Sequence, residues 1–130
     1  MKFLHVGLVR SSEAASDRFF QDVLGLARTR TKTVPPELCA TLFGREREHQ
    51  LLYYGNEHLQ FEVFVSDRAD FGETHLGHVC LEVGDAAETA ALLARCAAAG
   101  IEVRKAVRAE SSVIFIADED GNLFEIKERA

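Results

Sequence analysis

The chain has 130 residues, of which 47% are apolar and 28% charged, and its formal net charge is −6. This balance is typical of a soluble globular protein and excludes disordered and fibrous classes. The negative charge argues against a nucleic-acid partner, because binding to phosphates normally requires a basic patch. No apolar run is long enough to span a bilayer, and the N-terminal MKFLHVGLV lacks the pattern of a secretory signal. We therefore expect no membrane partner.

The cysteines indicate the redox compartment. Cys39, Cys80 and Cys96 form an odd set without a C-x-x-C pair. Such a set favours free thiols over a disulfide framework and predicts a cytoplasmic protein. Cys96 lies in an Ala-rich helical pattern and is interpreted as core filler, so no cysteine is a good candidate nucleophile.

An internal repeat organises the sequence. HVGLVRSSEAASDRFFQDVLGL begins at His5, and HVCLEVGDAAETAALLARCAAAGI begins at His78. The two segments place His, Val and Leu at the same offsets and then continue into a helical pattern, a glycine and an apolar residue. This match predicts that the chain is built twice from one plan.

In the first half, apolar alternation predicts a strand over residues 2–10. Ser12 is a candidate N-cap of a helix that ends at Gly25. The segment 34–48 holds a Pro-Pro loop and most of the charged run REREH, which is interpreted as a solvated loop or strand end. Three further strands are predicted, the last two joined by a Gly-Asn turn that is typical of a hairpin: 26–33, 49–54 and 58–65.

The second half repeats this order. A strand over 77–83 precedes a helix over 86–98, in which Asp85 and Glu88 form a capping box and Gly100 ends the helix. Three strands follow, with ADEDGN as a hairpin turn between the last two: 101–107, 112–117 and 122–127. The sequence thus predicts an α+β fold of two βαβββ modules, 1–70 and 71–130, which together form one domain and are connected through 71–77.

Polar residues occupy equivalent positions in the two modules. His5 and His78 lie in the opening strands, and Glu62 and Glu125 lie between apolar neighbours in the closing strands. An ionised carboxylate costs several kcal/mol to bury unless a cation pairs with it. If a pseudo-twofold relates the modules, the four side chains converge on one metal site. Nitrogen and oxygen ligands without thiolate suit Zn, Ni, Co, Mn or Fe.

Five segments carry a resemblance to a known family: FLHVGLV, DVLGL, QFEVFV, LGHVCLEV and DEDGNLFEIKE. The chain resembles the vicinal oxygen chelate superfamily, which includes glyoxalase I, bleomycin resistance proteins and extradiol dioxygenases. The resemblance implies that two βαβββ modules form a curved mixed sheet around a metal cavity. It also implies that His5, Glu62, His78 and Glu125 bind a divalent metal ion, that the substrate is a small molecule, and that the protein is a homodimer.

The activity implied by this resemblance is that of a glyoxalase I-like lyase or isomerase, which moves a proton through a metal-stabilised enediolate. Glu125 or Glu62 would be the catalytic base. Alternatives are a methylmalonyl-CoA epimerase-like or extradiol dioxygenase-like enzyme, and a metal-free protein that binds an antibiotic or another small ligand. Val9 and Ser66 stand where glutathione-dependent members commonly have Arg and Asn, which argues against a glutathione adduct as substrate. Arg10 is one position away and points to the opposite face of the strand.

Some neighbouring residues compete for roles in the site. His75 lies three residues before His78, but only His78 aligns with His5. His58 shares the Glu62 face of its strand and either lines the cavity or lies at a solvated strand end.

Two further groups are candidates for substrate contacts. Tyr53 and Tyr54 point to opposite faces, so one of them is expected to meet the cavity. Arg104, Lys105 and Arg108 either anchor an anionic tail of the substrate or form an exposed basic edge strand.

Overall fold

The computed structural model describes residues 1–67, 76–109 and 111–129. The chain divides into two compact units, Met1–Phe71 and Gly72–Ala130. Each unit holds one four-stranded mixed sheet with its helices, which confirms the α+β fold and the repeated βαβββ plan. The predicted module boundary at 70/71 and most of the predicted connection over 71–77 fall outside the described residues.

The first module has the sheet order β1-β4-β3-β2, in which β1 runs parallel to β4 and the other neighbours are antiparallel. Its elements in chain order are β1 (Val6–Arg10), α1 (Glu13–Asp17), a π-helical segment (Arg18–Val23), β2 (Ala27–Val34), α2 (Pro36–Phe43), β3 (His49–Gly55) and β4 (Gln60–Val65).

The second module repeats this topology in the order β5-β8-β7-β6, with β5 parallel to β8. Its elements are β5 (Val79–Glu82), α3 (Ala86–Ala99), β6 (Glu102–Arg108), β7 (Ser111–Ala117) and β8 (Leu123–Lys127). The second module therefore matches the predicted order of elements.

The first strand is shorter than predicted. β1 begins at Val6, not at residue 2, and Val6 pairs with Phe61 near the start of β4. β4 itself begins at Gln60, so the chain before His5 has no β4 residue beside it to continue the ladder. Apolar alternation alone cannot show where a partner strand ends.

A helix replaces part of the predicted loop over 34–48. α2 begins with Pro36 at its first position and ends at Gly44, which has a left-handed φ of 68°. Proline near the start and glycine after the end are the usual signals of a helix, and Cys39 anchors α2 because it is fully buried. The loop interpretation was wrong for residues 36–43, whereas the charged residues 45–48 form an exposed loop as predicted.

The core of the first module lies between its helical segments and the inner face of the sheet. The Ser12 hydroxyl accepts a hydrogen bond from the Ala15 amide, which confirms the predicted N-cap. The helix then widens into the π-helical segment, whose buried aromatic residues face the sheet. Fully or nearly fully buried side chains form this core: Phe19, Phe20, Val23, Leu52, Tyr54, Phe61 and Val63.

Tyr54 should make the free energy of unfolding depend on pH in the alkaline range. Its hydroxyl donates a 2.6 Å hydrogen bond to Asp17 Oδ1, and burial together with this bond raises its pKa above the ordinary value of 10.0. The folded protein therefore keeps this proton at a pH where the unfolded chain has lost it, so the free energy of unfolding should fall as pH rises above 10. Urea unfolding between about pH 9 and pH 11 should show a steeper decline for the wild type than for Tyr54→Phe. A Tyr53→Phe control with the same reduced slope would contradict this assignment.

In the second module, α3 has the predicted capping box. Asp85 accepts from the Glu88 amide at 2.9 Å and Glu88 accepts from the Asp85 amide at 2.9 Å, while Gly100 ends the helix in a left-handed conformation. Buried apolar residues of α3, of the sheet and of the link between α3 and β6 form the core: Leu92, Cys96, Ile101, Ile116, Phe124 and Ile126.

The cap should contribute measurably to stability. Asp85→Ala removes one acceptor from the helix terminus, and we expect the free energy of unfolding to fall by about 1 kcal/mol. Asp85→Ser keeps a side-chain acceptor and should lose less than half as much. Equal losses in both variants, measured by denaturant unfolding, would show that the cap is not the cause.

Two further predictions are confirmed in the described structure. The Asp118 carboxylate accepts hydrogen bonds from the Asp120 and Asn122 amides at 3.0 and 2.9 Å, so ADEDGN forms a turn that uses its own acidic oxygen. The three cysteines are free thiols. No helix in the described part of the chain is long and apolar enough to cross a membrane.

Candidate metal centre

In the first module, strand register brings a histidine and a glutamate together. Gly7 of β1 pairs with Glu62 of β4, and His5 lies two residues before Gly7 on the same face. The His5 Nδ1 atom is 2.7 Å from Glu62 Oε2. The side chains are 45% and 16% exposed respectively, so the carboxylate is largely covered and the imidazole is open to a ligand.

The second module builds the same pair. Cys80 of β5 pairs with Glu125 of β8, and His78 lies two residues before Cys80. The His78 Nε2 atom is 3.3 Å from Glu125 Oε2, while its Nδ1 atom is 2.9 Å from the Leu76 carbonyl oxygen. Because a carbonyl oxygen only accepts, Nδ1 carries a proton and donates to Leu76, while Nε2 faces the Glu125 carboxylate.

The identical register extends across both sheets. In each module, the central glutamate pairs on one side with a residue of the first strand of that module, β1 or β5. On its other side it pairs with an aromatic residue, which in turn pairs with an arginine. The row in the first module is Gly7, Glu62, Tyr53 and Arg30, and the row in the second is Cys80, Glu125, Phe115 and Arg104. The aromatic ring of each row also contacts a polar side chain. The Arg30 Cζ atom lies 5.4 Å from the centroid of the Tyr53 ring, and the ring centroids of His78 and Phe115 are 4.9 Å apart.

Each pair fits a divalent metal ion. Ligand atoms bound at about 2.0–2.2 Å to one ion lie about 3 to 3.5 Å apart. The His78–Glu125 separation of 3.3 Å falls in this range, and the His5–Glu62 separation of 2.7 Å is the shorter distance of a direct ion pair. Imidazole nitrogen and carboxylate oxygen suit Zn, Ni, Co, Mn and Fe. Within either module, the described residues bring no third His, Cys, Asp or Glu to the pair in an arrangement that could hold a metal.

Cys80 lies beside Glu125. Burial and the neighbouring charge of Glu125 raise the pKa of the Cys80 thiol, and Lys127 offsets this effect in part. The thiol therefore stays protonated at neutral pH.

Other predicted residues take defined positions. Tyr53 lies on the Glu62 face, whereas Tyr54 is buried in the core. His58 is 79% exposed and contacts Glu57 at 3.3 Å, so it lies at a solvated turn rather than in the site. Arg10 is buried over the Phe19 ring at 5.5 Å, on the face opposite the Glu62 carboxylate, as predicted.

Arg104 and Lys105 of β6 are exposed, and Arg104 pairs with Glu102 at 2.9 Å. His75 and the side chain of Arg108 lie outside the described part of the structure.

A pocket that the sequence does not predict lies beside Glu62. α2 covers part of the Glu62 face through a small apolar cluster of Val34, Cys39 and Leu51, against which Tyr53 and Phe64 pack. Between the end of α2 and the strands β1 and β4 lies a pocket of about 300 Å³. Apolar and polar side chains line it together with the backbone of Gly7 and Leu8: Val9, Phe43, Arg45, His49, Phe64 and Ser66. Pro36 and Gly44 were the signals that could have revealed α2 and hence this pocket.

Residues 2–126 match the model of the Glyoxalase/Bleomycin resistance protein/Dioxygenase superfamily. The chain therefore belongs to this superfamily, as the sequence motifs predicted. Comparison with proteins of curated function gave no match.

Solved structures share the fold at low identity. The fosfomycin resistance protein FosX from Listeria monocytogenes, in a hexagonal form, is 14% identical with a TM-score of 0.75, and the alignment covers 100% of this chain and 94% of that one. A mutant of that protein, complexed with Mn(II) and 1S,2S-dihydroxypropylphosphonic acid, is 17% identical with a TM-score of 0.74 and coverages of 96% and 90%. A glyoxalase family protein from Enterococcus faecalis is 20% identical with a TM-score of 0.68 and coverages of 96% and 95%.

Proposed function

We propose that this protein is a divalent-metal enzyme that moves a proton between neighbouring carbons of a small oxygenated substrate, as glyoxalase I does. His5, Glu62, His78 and Glu125 would bind one metal ion. The ion would be bound by the two modules of one chain or by modules of two chains in a homodimer.

One observation carries this proposal, namely the two His–Glu pairs built by the same strand register. A ligand-binding pocket has no need to repeat an imidazole and a carboxylate at equivalent positions. A metal site does, because each ligand must be held at a fixed distance from the ion by the strands that carry it. The superfamily membership supports the same interpretation.

The histidines and the glutamates would have different roles in the reaction. His5 and His78 would hold the ion, which when bound supplies Lewis-acid stabilisation of negative charge on a substrate oxygen. Glu62 and Glu125 are the candidate bases, because each is largely covered and lies at the pair. A carboxylate in this position removes a proton from one carbon and returns it to the next.

Hydrogen exchange at carbon tests this function. The protein would be freed of metal with a chelator, reloaded with Zn, Ni, Co, Mn or Fe, and incubated in D₂O with hemithioacetals, hydroxyketones and acyl-CoAs. Exchange of a C–H for deuterium that requires the added metal, followed by proton NMR, is the expected result. Metal-loaded protein that exchanges no substrate would contradict it, and metal-dependent oxygen uptake would identify a dioxygenase instead.

A second candidate is a metal-dependent antibiotic resistance protein. FosX, whose fold this chain shares, has been crystallised with Mn(II) and a dihydroxypropylphosphonic acid. Consumption of fosfomycin by the Mn-loaded protein, followed by phosphorus NMR, would favour this candidate over the proton-transfer enzyme.

A further inference from the structure

The pocket beside Glu62 differs from the rest of the molecule in charge. The chain carries a net charge of −6, yet the described residues that line the pocket include Arg45, His49 and Ser66 and no acidic side chain. Val9, Phe43 and Phe64 supply apolar walls, and the rings of Phe43 and Phe64 meet edge to face with centroids 5.2 Å apart. The lining therefore combines an apolar slot with one cationic side chain, Arg45, and two further polar groups.

The polar end of the pocket is pre-organised. His49 is only 8% exposed, and its Nδ1 atom lies 2.9 Å from the Arg47 carbonyl oxygen. Because that carbonyl can only accept, Nδ1 carries the proton and Nε2 accepts from the Ser66 hydroxyl at 3.1 Å. The Ser66 hydroxyl is thus held in one orientation at the pocket wall.

The pocket is continuous with the surface around Glu62. Gly7 lines the pocket and is the β1 partner of Glu62. A Cβ atom at Gly7 would meet no atom within 4 Å. The sheet face is therefore open at Gly7, between the pocket and the Glu62 carboxylate. Ser66 lies four residues beyond Glu62, roughly 13 Å along the strand at about 3.3 Å per residue.

We propose that this pocket binds the acidic tail of the substrate: a carboxylate or phosphonate at Arg45, joined to the oxygenated reacting carbons by a compact apolar or aromatic spacer between Phe43 and Phe64. This assignment rests on the proposed function for the reacting end only. The volume is near the lower limit of small-molecule sites, which span about 300–1,000 Å³. A compact tail fills this volume.

Binding of small probes to metal-free protein tests the pocket independently of the metal. Phenylacetate and phenylphosphonate carry a ring and an acid, benzyl alcohol carries the ring alone, and acetate carries the acid alone. In the presence of a chelator, calorimetry should show that at least one of the two aromatic acids binds about tenfold more tightly than benzyl alcohol and acetate. The stronger of the two identifies the carboxylate or the phosphonate class. Equal affinity of benzyl alcohol and both aromatic acids would overturn the proposal.

Matched variants locate the binding. Arg45→Gln should remove the advantage of the aromatic acid over benzyl alcohol, whereas Lys32→Gln, an equal charge change on the exposed part of β2, should keep it. Phe43→Ser, at a half-exposed position, should weaken every aromatic probe. Unchanged affinities in both Arg45→Gln and Phe43→Ser would place the probes elsewhere and overturn the proposal. Probe binding in a protein that never takes up metal would leave the pocket intact and reject the metal enzyme instead.

Discussion

Replacement of Glu125 by glutamine should lower turnover by about 10²- to 10⁴-fold, the usual contribution of a general base. The amide oxygen of glutamine can still contact a metal ion, but it cannot accept the substrate proton. The Glu125 carboxylate is 19% exposed and lies 3.3 Å from His78 Nε2, so a side chain of equal size should fit without a change of fold. Steady-state rates with the substrate found by exchange, beside metal content and thermal unfolding, would measure the effect.

Lys127→Gln provides a matched control. Lys127 Nζ lies 3.6 Å from Glu125 Oε1, but its side chain is 64% exposed, and such a pair contributes little. We expect the turnover rate of Lys127→Gln to differ from that of the wild type by no more than about threefold. Glu62→Gln, tested in parallel, would show which module supplies the base. Full activity in both glutamine variants would remove the assigned role from both carboxylates.

Phe20→Ala should produce the largest loss of stability, about 3–5 kcal/mol. Phe20 is fully buried, stacks on Tyr54 with centroids 4.7 Å apart, and contacts the Phe61 ring at 5.3 Å. Truncation removes this contact surface and leaves a cavity between the π-helical segment and the sheet, which the surrounding rings cannot fill without moving. Denaturant unfolding of the variant would measure the loss.

Phe3→Ala is the appropriate control, because Phe3 is 80% exposed. The same chemical change at an exposed position should alter the free energy of unfolding by about 0.5 kcal/mol or less. If Phe20→Ala cost no more than Phe3→Ala, the first module would not have the core described above.

The repeat made most of the fold predictable from the sequence. Strand alternation, the Ser12 and Asp85 caps and the glycines after the helices are local signals, and the structure has each of them. The start of β1 could not be predicted correctly because it depends on where β4 begins, and that pairing is long-range. α2 is not predicted, because two consecutive prolines beside a charged run favour a loop, and Gly44 was not considered as the end of a helix.

The candidate site was predictable for a similar reason. The two-residue period of a strand places His5 on the face of Glu62 once Gly7 and Glu62 are neighbours, and the repeat carries the same relation to His78 and Glu125. The pocket could not be predicted, because it depends on how α2 packs over the sheet. The roles of Arg45 and His49 follow from that packing and not from any motif.

Metal content is the measurement that tests the proposed site most directly. Protein purified without an affinity tag would be analysed for bound elements, beside the single variants His5→Ala and His78→Ala. His58→Ala is the control, since His58 is exposed at a turn. We expect roughly one divalent ion per chain in the wild type and in His58→Ala, and loss of that ion in either of the other variants, because one site needs ligands from both modules. No metal in the wild type after reloading, or an ion retained without both His5 and His78, would contradict the shared metal site.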